Sequence, residues 1–329
     1  MKRVYLDQWV WINLAKAAAG RKDGSRFADT LAVIRYAAEH GLASFPLSRT
    51  HYEETKHMPT ARQRKAVGRL MLDLSRGHRM IGPSDHLVQA EFEAALHRYL
   101  RRPHTSHGLQ VFGTGLGFVY DIGPIVGRIV RRDGSEPTDV DPAWRVAVES
   151  YANSMAEELF LCGPPDGVDV PGYDPHADRA FAEEFVQIQE EQAQRFQDNH
   201  TSRDRQGRLL TAAEWVQMAP LAVRALIKER IDPEEFFQDP EFLTAFIEDM
   251  PVVNASLQMR RLQHQNPQRQ WKPNDHYDIE GFSVAVVHSD IIVAERHWAH
   301  MLERAKLSER HQTTVLTDIP DLIAHLVRA

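Results

Sequence analysis

VYLDQWVW, residues 4–11, and NDHYDIEGFSVAVVHSDIIVAERHW, residues 274–298, decide how this chain is read. The first is a short apolar run that stops at Asp7. The second opens on a helix-length segment carrying Asp275 and Asp278, then an apolar strand, IIVA, bracketed by Asp290 and Glu295. Short apolar runs set between helical patterns suit buried parallel strands. In open α/β sheets the ligand crevice lies beyond the carboxyl ends of such strands. Carboxylates there suit a hard divalent cation such as magnesium, which takes oxygen ligands. The two ends of the chain are therefore expected to close one acidic pocket, with the middle inserted between them.

Outward from the first stretch, strands and helices alternate. Residues 4–7 read as a strand and 9–19 as a helix. Over 25–40, Phe27, Leu31, Ile34 and Ala38 recur at three- and four-residue steps, an amphipathic helix closed by Gly41. A strand over 43–47 leads to Ser48, an N-cap for a helix over 50–57 that Pro59 ends. A helix over 61–75 stops at Gly77, a third strand spans 79–81, and Ser84 caps a helix running to residue 100. Around the second stretch the pattern predicts a helix over 275–287, a strand over 291–294, a helix over 295–306, a strand over 313–316 and a helix over 319–327. Five strands alternating with helices imply a parallel sheet. The middle differs. Residues 103–171 are rich in Gly, Pro and His, and helices are expected at 143–160, 181–199, 212–229 and 240–250. Residues 251–261 are ambiguous, and 263–273 form a polar, basic connector.

A chain of 329 residues can bury a large core in one or two domains. The single cysteine, Cys162, excludes an internal disulfide framework and fits a reducing cytoplasm. No apolar run has the length of a membrane span, and the start carries no long apolar segment of a secretory signal. A formal net charge of −7 argues against constitutive coating of nucleic acid, but local basic patches stay open.

Each acid has a bland reading beside its chemical one. Asp7 could simply cap the next helix. Glu54 lies in a short helix beside His51 and Lys56, where a solvated face is the ordinary outcome, and its neighbour Glu53 cannot share its face. Asp275 and Asp278 sit three apart in a helix's first turn, where the dipole favours acids. Asp290 and Glu295 could each be caps. Joint placement raises the set: converging carboxylates repel one another unless a cation joins them.

The ordered set resembles the PIN-domain superfamily of metal-dependent nucleases. A first Asp closes strand one, here Asp7. A Ser-started helix after strand two carries a Glu six residues on, here SRTHYEE ending at Glu54. A third Asp opens the helix before strand four, here Asp278 or its neighbour Asp275, and further acids surround strand four, here Asp290 and Glu295. The family commonly has Thr-Asp at the last point, where this chain has Ala294–Glu295. The run DIEGFSVAVVHSDIIVAERHW looks especially like a PIN-like subgroup in bacteria. The resemblance covers residues 1–82 and 274–329. It implies an α/β fold, a PIN-like three-layer α/β/α sandwich with a five-stranded parallel sheet, its core formed by 1–82 and 274–329 and split by a mostly helical insertion, 83–273. It implies hydrolysis of phosphodiester bonds, in RNA before other substrates, by Asp7, Glu54, Asp278 and Asp290 holding Mg²⁺ or Mn²⁺, with Asp275 and Glu295 in support. The setting it suggests is a toxin or defence effector, with an inhibitory partner protein and homo-oligomer as further possibilities. The alternatives are a non-catalytic PIN-like module that binds nucleic acid or protein, and a metal-dependent nucleotide phosphatase.

Three basic clusters offer phosphate contacts: Arg62, Arg64, Lys65, Arg69, Arg76 and Arg79; Arg98, Arg101, Arg102, His104 and His107; and Arg260, Arg261, Arg269 and Lys272 with Trp271. Each could equally be a solvated face balanced by nearby acids. The third leads directly into Asp275 and is the expected substrate-binding set. His297 and His300 have a zinc-like spacing but no accompanying Cys pair or HExxH motif. GTGLGFVYDIG, residues 113–123, lacks the ending of a phosphate loop and reads as a flexible loop or hairpin.

Overall fold

Val4, Tyr5 and Leu6 are buried in a strand, as the opening apolar run requires. The structure is a computed structural model that describes residues 1–102, 109–123, 125, 129–137, 140–165, 168–171, 173–266 and 268–327. In chain order the elements are β1 (Lys2–Leu6), α1 (Gln8–Ala18), a 3-10 turn (Lys22–Phe27), α2 (Ala28–Glu39), β2 (Ala43–Ser44), α3 (Arg49–Lys56), α4 (Ala61–Ser75), β3 (His78–Met80), α5 (Asp85–Tyr99), β4 (Phe112–Thr114), α6 (Leu116–Val119) and α7 (Pro142–Cys162). There follow α8 (Arg179–Asp198), α9 (Arg203–Lys228), α10 (Pro233–Phe236), α11 (Pro240–Glu248), α12 (Pro251–His264), α13 (Pro273–His288), β5 (Ile291–Val293), α14 (Arg296–Arg304), α15 (Leu307–His311), β6 (Thr314–Leu316), a second 3-10 turn (Ile319–Asp321) and α16 (Leu322–Val327). The protein is mixed α/β and mostly helical.

The chain forms two compact units. One gathers Met1–Ile81, Phe112–Ala177 and Asp318–Ala329; the other gathers Gly82–Val111 and Asp178–Thr317. In the first, β1 and β2 pair in parallel, with Lys2 opposite Ala43 and Arg3 opposite Ser44. Trp11 and Leu14 of α1 are fully buried, and α1 packs on α4. The third expected strand, β3, does not extend the parallel set. It pairs antiparallel with β4, and meets the chain beyond β2 only through a one-residue parallel bridge, Leu47 to Arg79. Its partner β4 overlaps the start of the stretch read as a flexible loop or hairpin, residues 113–123, and three residues of Phe-Gly-Thr carry no periodicity to mark a strand. The expected five parallel strands are therefore four: β1, β2, β5 and β6.

In the second unit β5 and β6 pair in parallel, Ile291 opposite Thr314 through Val293 opposite Leu316. Helices dominate around a core of Phe92, Trp215, Phe236 and Phe246. The rings of Phe92 and Phe246 lie 5.3 Å apart, and those of Phe236 and Phe246 5.2 Å. A boundary between the units falls at Ile81–Gly82, beside the one expected at 82, but none falls at 273. Residues 274–317 belong with α8–α12, and residues 112–177 with the N-terminal strands. Helix α13 accounts for the first: Ile279, Phe282, Val284, Ala285 and Val286 are all buried, and a helix apolar on most sides must be wrapped by neighbours, here α12 and α8. The ambiguous 251–261 is helical. Pro251 sits in the first turn, and the carboxylate of Glu91 on α5 accepts from the Val252 amide at 2.8 and 3.1 Å and from the Val253 amide at 3.2 Å. Helix α9 starts at Arg203 rather than 212 and runs through Pro220. Among the described residues no helix is long and apolar enough to cross a membrane.

Candidate active site

Asp7 follows β1 and precedes α1, yet its side chain makes no capping bond to that helix. It is only 6% exposed. The capping explanation therefore fails for this acid, although a buried carboxylate needs polar partners. Glu54 belongs to α3, and α3 is tied to the end of β1 by His51. The His51 ring is fully buried. Its Nδ1 accepts from the Ser48 amide at 2.9 Å, and its Nε2–H donates to the Leu6 carbonyl at 2.7 Å. These partners define a neutral imidazole protonated at Nε2. Burial brings its pKa down to about 4; the Leu6 carbonyl opposes this and the charge of Arg79 adds to it. A second tie runs from Gln8 Nε2 to Thr55 Oγ1 at 3.0 Å. The residues next to Asp7 are thus bonded to α3 on both sides of the Glu53–Glu54 pair.

Tyr5 reports on the result. Its hydroxyl lies 3.2 Å from Thr50 Oγ1 and 3.5 Å from Ser48 Oγ. Burial raises its pKa far above the ordinary phenol value. The Ser48 and Thr50 hydroxyls oppose that rise, and the negative charges of Asp7 and Glu54 both add to it. Two carboxylates from separate elements act on one buried phenol. Of the adjacent pair, Glu53 is buried and Glu54 half-buried. Glu53 is ion-paired with Lys56 and accepts from the Tyr120 hydroxyl.

Several residues of the basic clusters have partners that sequence reading passed over. Arg79, placed in a basic cluster by its neighbours in sequence, is 0% exposed. It donates through Nε and Nη2 to the two oxygens of Glu157 at 2.8 and 2.7 Å, with Nη1 on Ser75 Oγ at 2.8 Å. Arg64 of the same cluster donates to the Cys162 carbonyl at 3.2 Å, while Arg62 and Arg69 remain exposed. In the second cluster Arg102 pairs with Glu229 at 2.8 Å, and His104 and His107 lie outside the described residues. Asp318, exposed two residues past β6, makes no capping bond and carries the same signal as Asp7, an acid after a short apolar run.

The acids of the second unit separate into distinct roles. Asp275 is structural: Oδ2 accepts from the Lys272 amide at 3.0 Å, and Oδ1 accepts from Arg269 at 2.7 Å. It is the helix-start acid of the bland reading. Asp278, one turn on, is half-buried. Asp290 and Glu295 are both exposed and stand at opposite ends of β5. Three strand residues carry the chain roughly 10 Å, so these two acids cannot share an ion. The Asp290 carbonyl accepts from the Thr314 amide at the strand's amino end. Glu295, at the carboxyl end, makes no capping bond to α14. Glu295, not Asp290, therefore stands at the carboxyl end of β5.

The expected substrate-binding set is largely committed elsewhere. Arg260 is buried and ion-paired with Glu214 of α9. Arg261 donates to the Gly207 carbonyl at 3.1 Å and to Thr211. Arg269 pairs with Asp275 and lies 5.2 Å from the Trp298 ring. Trp271 is buried against Phe185 and His264, leaving Lys272 exposed. These cations tie α12 to α9 and to the start of α13, because a helix packed on two sides must find partners for charges on its inner faces. His297 is held down to about pKa 4 by burial, then by the charges of Arg269 and His300.

Among the described residues no group of three or more His, Cys, Asp or Glu side chains is placed to hold a metal ion. Asp7 and Glu54, the two acids whose charges both raise the Tyr5 pKa, are the candidates for a more open arrangement. Magnesium is commonly bound through one or two carboxylates, with waters and substrate phosphates completing the shell. The donors here are carboxylate oxygens of that kind. No family model, curated protein or solved structure matches the chain.

Proposed function

We propose that the protein is a metal-dependent endonuclease that hydrolyses phosphodiester bonds in RNA, with a PIN-like core. The observation that supports the reading is that the charges of Asp7 and Glu54 both act on Tyr5: one a buried strand-end carboxylate that caps no helix, the other a carboxylate of α3, the helix that His51 and Gln8 tie to the chain on either side of Asp7. In the reaction, water attacks phosphorus in line as the bond to the leaving ribose oxygen breaks, giving a phosphate monoester and a hydroxyl. Asp7 and Glu54 would hold a Mg²⁺ or Mn²⁺ ion, which when bound neutralises charge on the phosphoryl oxygens. The neutral His51 keeps Leu6 and Ser48 in register, so that neither carboxylate has to reorganise as charge develops. Asp278 and Glu295 are assigned to the chemistry by the resemblance alone.

The test is incubation of the purified protein with labelled RNA, single-stranded DNA and mononucleotides, in Mn²⁺ and then in EDTA. Cleavage of RNA that EDTA stops is expected. Release of inorganic phosphate from mononucleotides alone would make the protein a phosphatase. Binding of RNA without turnover in Mn²⁺ would make it a binding module.

A further inference from the structure

The three basic clusters fare differently in the fold. Arg98 and Arg102 of the second pair with Asp249 and Glu229, and every arginine of the third has a partner. The first is centred on α4, which carries Arg62, Arg64, Lys65 and Arg69 against a single acid, Asp73. Arg64 is committed to the Cys162 carbonyl, and Asp73 faces Arg35 of α2 at 3.7 Å. Arg62 and Arg69 are exposed, and neither side chain forms an ion pair or hydrogen bond with a described residue. Arg62, Lys65 and Arg69 recur at three- and four-residue steps, so they share one face of the helix. Together with Ala61 and Ala66 they line a shallow depression of about 350 Å³. The stripe from Arg62 to Arg69 is roughly 10 Å long.

Such a face is unfavourable in the free protein. Arg62 and Arg64 lie in the first turn of α4, where the helix dipole disfavours cations, and no acid stands there. Like charges three and four residues apart, Arg62 with Lys65 and Lys65 with Arg69, repel one another. A solvated helix elsewhere in this chain relieves its charges: α8 pairs Arg179 with Glu183 at 2.9 Å and Arg195 with Glu191 at 3.7 Å, each four residues away. Nothing on α4 does the same for Arg62 and Arg69, although the whole chain has a net charge of −7. A row of phosphates would relieve the repulsion, and arginine forks match phosphate oxygens. A helix that binds a membrane surface sets large apolar side chains beside its cations. On α4 no large apolar side chain is exposed, because Val67, Leu70, Met71 and Leu74 are buried. The depression has no aromatic lining on which a base could stack. Contact there is with a nucleic-acid backbone and carries no sequence information.

We infer that the Arg62–Lys65–Arg69 face of α4 is a docking surface for the phosphate backbone of single-stranded RNA, in the role expected of the Arg260–Lys272 set. The inference deepens the proposed function and rests on it for the choice of RNA. The surface itself needs no metal.

Fluorescence anisotropy of a labelled oligouridylate with the full chain, in EDTA and across a range of KCl, tests it. The logarithm of Kd should rise linearly with the logarithm of salt concentration. Arg62→Gln combined with Arg69→Gln, with melting temperature as a fold control, should reduce that slope by about 1.4 and weaken binding roughly 25-fold at about 0.1 M salt. If the double variant does not fold, Arg62→Gln alone decides, with a slope change of about 0.7. The same charge taken from α8, by Arg179→Gln with Arg195→Gln, should leave the slope unchanged. An oligocytidylate should bind as the oligouridylate does. Equal slopes in the α4 variant and the unaltered protein overturn the inference, as do equal losses in the α4 and α8 variants. Absence of oligonucleotide binding at low salt also overturns it, and binding to phosphatidylserine vesicles in its place would assign the face to a membrane. Failure of the nuclease reading looks different: no cleavage in Mn²⁺, with α4-dependent binding intact. Cleavage that EDTA stops, with the α4 variant binding RNA as the unaltered protein does, would sink this inference and leave that reading standing.

Discussion

Asp7 and Asp290 were equal candidates as acids flanking short apolar strands, and the structure parts them. Asp7 stands at the carboxyl end of β1, buried and capping nothing, whereas Asp290 stands exposed at the amino end of β5. On the proposed chemistry, Asp7→Asn should lower RNA cleavage about a hundredfold or more, with little change in melting temperature. Asp290→Asn should cleave at close to the unaltered rate. Loss of activity in the second variant and not the first would reverse this assignment. The strand-end acid was legible because its cue is local, a polar residue ending an apolar run. Which end of β5 faces a crevice was not, since acids flank the strand IIV on both sides and only the strand's direction separates them. His51 was equally hidden. Its neighbours in sequence suggest a solvated helix face, yet it bonds to a carbonyl 45 residues away. Its folded pKa of about 4 lies below the free value, so the unfolded chain binds more protons between the two. The stability it contributes is fully present above about pH 6.5 and is lost as pH falls towards 4, by up to about 3 kcal/mol. Urea unfolding at pH 7 and pH 5 should show a drop that His51→Gln reduces. Equal drops in both proteins would mean that His51 is not held neutral.

Helix packing explains why charge clusters misled. Sequence shows that Arg79 has basic neighbours; it does not show that Glu157, 78 residues on, meets it in the interior. Likewise α12 looked ambiguous because its cap comes from Glu91, 161 residues earlier. Burial raises the Glu91 pKa to about 7, against the pull of the two backbone amides. The folded state therefore holds a proton that the unfolded chain releases near pH 4.5. This stability is complete below that value and is lost as pH rises through about 7, the opposite sign to His51. From pH 5 to pH 8 the protein should lose about 1–3 kcal/mol relative to Glu91→Gln; parallel pH profiles would refute the assignment. The contact of α4 with α7 makes a separate prediction. A Cβ on Gly68 would sit 2.7 Å from the Leu161 carbonyl oxygen and 2.9 Å from Cys162 Sγ. Alanine improves helix propensity by about 1 kcal/mol, but a backbone carbonyl yields less readily than a side-chain tip. Overpacking should win, and Gly68→Ala should destabilise the protein by about 1–3 kcal/mol in urea unfolding. A gain in stability would show that α7 gives way.

At the scale of the chain, the alternation of strands and helices at both ends was legible because periodicity is local, and four parallel strands fall where the pattern put them. Beyond the boundary at Ile81–Gly82, the partition into units was not legible, because it is decided by which apolar faces cover one another. The expected plan was a core of residues 1–82 and 274–329 split by a mostly helical insertion. The observed units interleave: residues 112–177 complete the first, and 274–317 pack with the helices of the second. The two plans differ in what excision does. Under the expected plan, replacing 83–273 by a short flexible linker leaves a core that folds. Under the observed one, the excision removes α7, and with it the Glu157 carboxylate that pairs Arg79 at zero exposure. Breaking a buried pair in that way costs about 3–5 kcal/mol, comparable with much of a domain's stability. It also strips α12 and α8 from α13, leaving Ile279, Phe282 and Val286 without their cover. The excised chain should therefore be insoluble or show no cooperative unfolding by circular dichroism. A soluble product with a sharp thermal transition would restore the insertion plan and dissolve the two units described here.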